Sequence, residues 1–177
     1  MAARQVRHPT TGPYRAEERT PRPVKRADPR LLDTNVVSEL RKARTGKADK
    51  NVAAWAAGRP AASMFVSAVT IQELEIGVLL AERRDPRQGV VLRRWLEELE
   101  EYALPTFAER VIPVDTAVAR CSAALHVPEP RPVRDTLIAA TALVHRMSVV
   151  TRDAADFAPT GAVVINPWDG SDRPTDS

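Results

Sequence analysis

Hydrophobic and polar residues from position 31 onward form blocks that predict strands and helices in alternation. Short apolar runs predict strands at 29–34, 64–66, 111–114, 148–151 and 162–165. Stretches with helical periodicity, several closed by Gly or Pro, predict helices at 36–41, 50–57, 70–83, 86–102, 116–125 and 136–146. Strands that alternate with helices indicate an α/β fold, in which a parallel sheet is covered on both faces.

The first 30 residues do not share this pattern. They carry eight basic and three acidic side chains, a net charge of +5, together with five of the fifteen prolines, whereas the chain as a whole has a net charge of +3. Such a segment buries too little apolar surface to offset the entropy of ordering. We therefore expect a disordered basic arm at 1–29, one globular domain at 30–168 and a polar tail at 169–177. The arm either contacts nucleic acid or is a solvated tail.

Composition excludes several classes of protein. A single cysteine, Cys121, rules out an internal disulfide framework, and its apolar helical setting indicates packing in a reducing cytoplasm. No run approaches the roughly 18 apolar residues of a membrane span, and no apolar core of a secretory signal is visible. Seven glycines and the absence of GxGxxG or GxxxxGK[ST] argue against the common nucleotide-cofactor enzymes. We predict a cytoplasmic protein without a membrane partner.

Acidic residues recur where predicted strands end. Asp33 follows the first strand, Glu73 lies in the first turns of the helix after the second, and Asp153 and Asp156 follow the fourth, while Asp135 opens the helix before it. Taken singly, most of these aspartates have an ordinary alternative as turn or capping residues. Ligands bind at the carboxyl ends of parallel strands, so the acids are expected to meet at one edge.

Glu73 is the hardest of these acids to explain structurally. Its nearest helical neighbours in projection are Ile76, Gly77 and Leu80, and a lone carboxylate within an apolar arc is costly unless a cation compensates it. Few basic residues stand near these acids in the pattern, and Arg152 is one candidate. Grouped carboxylates without Cys or His ligand spacing predict a hard divalent cation, Mg²⁺ or Mn²⁺, whose most suitable reaction is phosphodiester hydrolysis.

Two other acidic sites are disfavoured by the same residues. A phosphatase of the haloacid dehalogenase type needs an acid two residues after its nucleophilic aspartate, where this chain has Asn35. A response-regulator receiver needs an acidic pair at its first strand exit and a lysine late in the sheet. Neither pattern is visible.

Four segments, in this order, resemble the motifs of PIN-domain nucleases. They are Leu31-Leu-Asp-Thr-Asn35, Ser67-Ala-Val-Thr-Ile-Gln-Glu-Leu74, Asp135-Thr-Leu-Ile-Ala-Ala-Thr-Ala142 and Val150-Thr-Arg-Asp-Ala-Ala-Asp-Phe157. The likeness spans roughly 30–168. It extends to the VapC-type toxins of bacterial toxin–antitoxin pairs, particularly the FitB-like branch, through the ending Ile165-Asn-Pro-Trp168.

The resemblance implies a PIN-like three-layer α/β/α fold with a central parallel sheet of four to five strands. It also implies an Mg²⁺- or Mn²⁺-dependent ribonuclease, usually a homodimer, held inactive by a small DNA-binding antitoxin. Carried over by residue, Asp33 and Asp135 are the expected direct metal ligands, and Glu73 and Asp153 complete the catalytic quartet directly or through water. Thr34, Asn35 and Thr151 would orient these carboxylates, with Asp156 at the periphery. The alternative is a catalytically weak module that sequesters RNA or co-represses its operon with the antitoxin.

Overall fold

The computed structural model describes residues 28–98 and 110–170. Nearly all of the predicted arm at 1–29, the last residues of the predicted helix at 86–102 and most of the tail at 169–177 lie outside the described residues.

Five strands form one parallel sheet, as the alternating pattern predicts. They are β1 (Arg30–Leu32), β2 (Met64–Ser67), β3 (Val111–Ile112), β4 (Ser148–Val150) and β5 (Val164–Ile165). Their order is β3-β2-β1-β4-β5, and each neighbouring pair is parallel. The chain adds β2 and β3 on one side of β1 and then crosses over to add β4 and β5 on the other side. The junction between β1 and β4 is therefore the switch point where such sheets bind ligands.

Seven α-helices connect and cover these strands in the described part of the chain. They are α1 (Thr34–Arg41), α2 (Lys50–Ala57), α3 (Ala68–Arg84), α4 (Pro86–Glu98), α5 (Thr116–Leu125), α6 (Val133–His145) and α7 (Ala154–Phe157). None of the helices within 28–98 and 110–170 is long and apolar enough to cross a membrane.

Two hydrophobic cores lie on opposite faces of the sheet. Leu32 and Val150 point into a core formed with α1 to α4, which includes Trp55 and Leu96. Leu31 and Val149, one residue earlier in each strand, point into a second core with α6 and α7. Because successive strand residues face opposite sides, apolar runs without alternation are needed to fill both cores. The predicted three-layer α/β/α architecture is thus confirmed.

Polar caps determine where several helices begin. Asp33, Asp49, Ser67 and Asp115 each accept a hydrogen bond from a backbone N–H in the first turn of the following helix. The cap at Asp115 was expected. The cap at Asp33 starts α1 at Thr34, two residues before the periodicity indicated, because the capping oxygen satisfies an N–H that would otherwise lack a partner.

The prediction that Asp135 opens its helix is wrong. Helix α6 begins at Val133, directly after Pro132, whose extended backbone occupies the capping position without a side-chain hydrogen bond. Asp135 is the third helical residue. Acidic side chains are common in the first turn of a helix, near the positive end of the helix dipole.

Candidate active site

The residues predicted for the site lie at the carboxyl edge of the sheet. Asp33 directly follows β1, and Thr151 directly follows β4. Glu73 lies in the second turn of α3, which leaves the end of β2, and Asp135 lies in the first turn of α6. Four distant segments of the chain therefore converge near the switch point.

Asp33 is the most constrained of the acids. Its side chain is only 8% exposed. Oδ1 accepts a hydrogen bond from the Thr34 N–H at 2.7 Å, and Oδ2 accepts one from Thr151 Oγ1 at 2.7 Å. Burial raises the pKa of the Asp33 carboxyl; the bonds from Thr151 and Thr34 oppose that rise, and the charges of Glu73 and Asp135 add to it. The carboxylate is thus held in one orientation at an energetic cost.

Asn35 joins Asp33 to Asp153. Its Nδ2 lies 2.9 Å from Asp33 Oδ2, 3.0 Å from Thr151 Oγ1 and 3.1 Å from Asp153 Oδ2. The Asp153 N–H also donates to Thr151 Oγ1 at 3.1 Å. Two carboxylates more than a hundred residues apart therefore share polar neighbours, which fix their relative positions.

The Glu73 carboxylate accepts hydrogen bonds from two residues on different helices. Thr34 Oγ1 donates to Oε2 at 2.5 Å, and Arg134 Nη1 donates to Oε1 at 3.1 Å. The neighbours of Glu73 on its helical face are apolar, as the projection predicts, but that face is not covered, since Ile76 is 38% exposed and Leu80 is 45% exposed. Helical projection identifies residues that share a face, but it does not say whether that face is covered. Thr34 and Arg134 compensate this carboxylate.

The Asp135 carboxyl interacts electrostatically with the other acids. Burial raises the pKa of its carboxyl, and the charges of Asp156, Glu73 and Asp153 raise it further, while Arg134 opposes them. These interactions place Asp156 within electrostatic reach of the cluster. The Asp33, Glu73, Asp135 and Asp153 carboxylates thus form one interacting group, which we call the carboxylate cluster.

The donor set fits a hard divalent cation in its chemistry. Every candidate ligand in the carboxylate cluster is a carboxylate oxygen, and the raised pKa values of Asp33 and Asp135 reflect burial together with crowded negative charge. Among residues 28–98 and 110–170, no three His, Cys, Asp or Glu side chains are grouped closely enough to hold a metal ion as they stand. Glu73 and Asp153 are instead bonded to Thr34, Arg134 and Asn35.

Sequence reasoning missed Arg134. The hydropathy pattern suggested few cations near the acids and named Arg152, whose guanidinium lies 5.5 Å over the Trp168 ring. The signal that could have revealed Arg134 is its position directly before Asp135. A residue in the first turn of α6 lies at the same edge of the sheet as its neighbour.

Comparisons with known proteins agree with this fold. The PIN domain family profile matches residues 30–161. The chain is 37% identical over 144 residues to VapC ribonuclease Y4jK of Sinorhizobium fredii, covering 78% of this chain and 97% of that protein. Identity and coverage are the same for toxin FitB of Neisseria gonorrhoeae.

A solved structure shows the same likeness in three dimensions. The crystal structure of FitAcB from Neisseria gonorrhoeae matches with a TM-score of 0.67 and 35% sequence identity, covering 78% of this chain and 98% of that chain. A structure of FitAB bound to a DNA fragment matches with the same TM-score at 34% identity, covering 78% of this chain and 95% of that one. Together with the order of strands and the acidic edge of the sheet, these relatives establish that the chain belongs to the PIN-domain family. VapC- and FitB-type toxins of that family are among the relatives of this chain.

Proposed function

We propose that this protein is the toxin of a toxin–antitoxin pair and acts as an Mg²⁺- or Mn²⁺-dependent endoribonuclease. The observation that supports this most directly is the setting of Asp33. Its buried carboxylate stands at the end of the central strand, bonded to Thr34, Asn35 and Thr151 and within the electrostatic field of Glu73 and Asp135. The names of the relatives, VapC ribonuclease and toxin FitB, support the same activity.

Each member of the carboxylate cluster has a role in the proposal. Asp33 and Asp135 would hold the cation directly, Glu73 and Asp153 would complete its shell directly or through water, and Asp156 would act from the periphery. When bound, such an ion polarises a phosphate and makes hydroxide available from water at neutral pH.

The remaining polar residues position these acids. Thr34 fixes Glu73, Thr151 fixes Asp33, and Asn35 sets the distance between Asp33 and Asp153. Supporting bonds of this kind orient the carboxylates that hold a metal. Within residues 28–98 and 110–170 the acids would still have to move closer together to share one ion. Because a carboxyl must be deprotonated to bind a metal, and burial raises the pKa of Asp33 and of Asp135, cation binding should weaken as the pH falls.

The proposal includes partner chains. Solved structures similar to this chain include complexes named FitAB and VapBC. The FitAB structure and one of the VapBC structures contain a DNA fragment. We propose by analogy a cognate DNA-binding antitoxin and a toxin homodimer. Exposed apolar side chains on α3 and α4 are consistent with coverage by partner chains: Ile76, Leu79, Leu80, Val90 and Val91.

An RNA cleavage assay tests the activity. Wild-type protein is expected to cleave single-stranded RNA in Mg²⁺ or Mn²⁺ and not in EDTA. The cleavage rate of Asp33→Ala should fall about 100-fold or more. Loss of a residue that merely supports a metal ligand typically costs about 10–100-fold in metal affinity or activity. Asp135→Asn is the second variant, because Asp33 also caps α1. Asp28→Ala is the control, since Asp28 is exposed. Within residues 28–98 and 110–170 its side chain makes no hydrogen bond or ion pair, and its backbone carbonyl accepts a bond from Arg30.

The same assay separates the enzyme from a binding module. Cleavage that survives in both Asp33→Ala and Asp135→Asn would overturn the proposed mechanism. RNA that is bound but never cleaved by wild-type protein in either metal would favour sequestration instead.

A further inference from the structure

Arg134 lies beside the carboxylate cluster. It directly precedes Asp135 in the first turn of α6, and its Nη1 donates to Glu73 Oε1 of α3 at 3.1 Å. The Arg134 side chain is 56% exposed, whereas that of Glu73 is 20% exposed. The guanidinium thus bridges two helices beside the site, with much of its surface open to solvent.

The cluster creates an electrostatic problem for a nucleic-acid substrate. Several carboxylates at one edge repel the phosphates that must approach them. Arg134 is the cation whose charge offsets the acids around Asp135. Arg152, which directly follows Thr151, has its guanidinium over the Trp168 ring instead. Arg134 is therefore the residue best placed to attract a phosphate to this edge.

The guanidinium retains donors for such a ligand. It carries five N–H groups in a planar fork that suits two phosphate oxygens. Among the contacts described for residues 28–98 and 110–170, only Nη1 is engaged, and its partner is Glu73.

We propose that Arg134 binds a phosphate of the RNA beside the carboxylate cluster, and that its ion pair with Glu73 keeps the guanidinium pointed toward that position. The inference rests on the proposed function and deepens it. It assigns substrate contact to a residue outside the four motifs, because the third motif begins at Asp135.

A purely structural role makes a different prediction. If Arg134 served only as the counter-ion of Glu73, neutralising Glu73 would make Arg134 dispensable. If Arg134 contacts phosphate, its loss should weaken RNA binding whether or not Glu73 is charged. A double-mutant cycle on Arg134→Gln and Glu73→Gln separates the two roles.

The experiment measures binding of a fluorescein-labelled single-stranded RNA by anisotropy in EDTA, from 25 to 200 mM KCl. Removing one phosphate contact should reduce the slope of log K against log salt by about 0.7 for a single strand. We expect this reduction in Arg134→Gln and not in Arg134→Lys, which keeps the charge. Arg84→Gln is the control, because Arg84 is exposed and lies eleven residues beyond Glu73 on α3, about 16 Å along the helix.

Two results would overturn the inference: an unchanged slope in Arg134→Gln, or a loss that disappears in the Glu73→Gln background. Wild-type preparations are assayed for Mn²⁺-dependent cleavage in parallel. Cleavage together with an unchanged slope would remove only the role of Arg134. Absence of cleavage in Mg²⁺ and Mn²⁺ would instead overturn the proposed function.

Discussion

Thr151 Oγ1 donates a 2.7 Å hydrogen bond to Asp33 Oδ2 across the junction of β4 and β1. The two residues are 118 positions apart, yet the parallel register that pairs Leu32 with Val150 places the next residue of each strand side by side. Thr151 is fully buried, so this hydroxyl has no competing water. The bond links the register of the sheet directly to the orientation of the central carboxylate.

Thr151→Val should weaken metal binding without unfolding the protein. Valine matches threonine in shape, but it leaves Asp33 Oδ2 with one donor fewer, so the carboxylate is oriented only by Thr34 and Asn35 among the described contacts. Losses of such supporting bonds typically cost 10–100-fold in metal affinity. The Mn²⁺ concentration that gives half-maximal cleavage is expected to rise by about that factor.

Thr141→Val provides the matched control for this change. Thr141 is equally buried, but its hydroxyl bonds to the Leu137 carbonyl within α6. An identical response of Thr141→Val and Thr151→Val to Mn²⁺ would argue that loss of a buried hydroxyl, and not the contact with Asp33, is responsible.

Asp135→Asn should stabilise the metal-free protein at neutral pH. Burial and neighbouring carboxylates raise the Asp135 pKa above 3.8, so the folded state binds this proton more tightly than the unfolded state does. Stability from this group is therefore highest below pH 3.8 and falls as pH rises toward the raised native pKa. In EDTA at pH 7, Asp135→Asn is expected to melt at a higher temperature than wild type.

In Mn²⁺ we expect wild type to melt at a higher temperature than Asp135→Asn. A ligand that binds only the native state stabilises that state, and the variant loses this stabilisation because it loses a metal ligand. Melting temperatures from pH 3.5 to 7.5, in EDTA and in Mn²⁺, measure both effects. Asp28→Asn, at an exposed position, is the control. A variant that is less stable than wild type in EDTA at every pH would contradict the sign derived for Asp135.

Two glycines on the α3–α4 hairpin should respond to alanine in opposite ways. A Cβ at Gly89 would lie 2.4 Å from the Glu82 Cα, so α3 and α4 would have to separate, at a cost of about 1–3 kcal/mol. A Cβ at Gly77 meets no atom within 4 Å among the described residues, and helix propensity should add about 0.5–1 kcal/mol. Urea unfolding of both variants measures this; stabilisation by Gly89→Ala would contradict the close packing.

Deletion of residues 1–24 is expected to leave metal-dependent cleavage intact. The segment lies outside the four motifs and outside the described residues, and its basic charge suits only a salt-sensitive contact. Cleavage rates of the full chain and the truncated chain, compared from 25 to 300 mM KCl, measure its contribution. A large loss at low salt that shrinks as salt rises would show that the arm recruits RNA.

Much of the site could be predicted because it follows from the topology of the sheet. Asp33 and Thr151 come directly after neighbouring parallel strands, and the carboxyl ends of such strands meet at one edge. Short apolar runs were enough to locate both strands, since each is buried on both faces. The placement of Glu73 and Asp135 at the same edge follows from α3, which leaves the end of β2, and from α6, which precedes β4.

The partners of Glu73 could not be predicted in this way. Whether Arg134 reaches Glu73 depends on how α6 is rotated against α3, which is determined by packing across the sheet and not by either helix alone. The exposure of Ile76 and Leu80 is a second example. Periodicity indicates that they share a face with Glu73, but only the tertiary arrangement decides whether another element covers that face.

The central claim is that the carboxylate cluster jointly holds a divalent cation, and calorimetric titration of the RNA-free protein with Mn²⁺ tests it most directly. Wild-type protein is expected to give a saturable binding heat, which Asp33→Asn and Asp135→Asn each reduce severely and Asp28→Asn does not. The absence of a binding heat in wild-type protein, or a heat that persists unchanged in both site variants, would contradict the account.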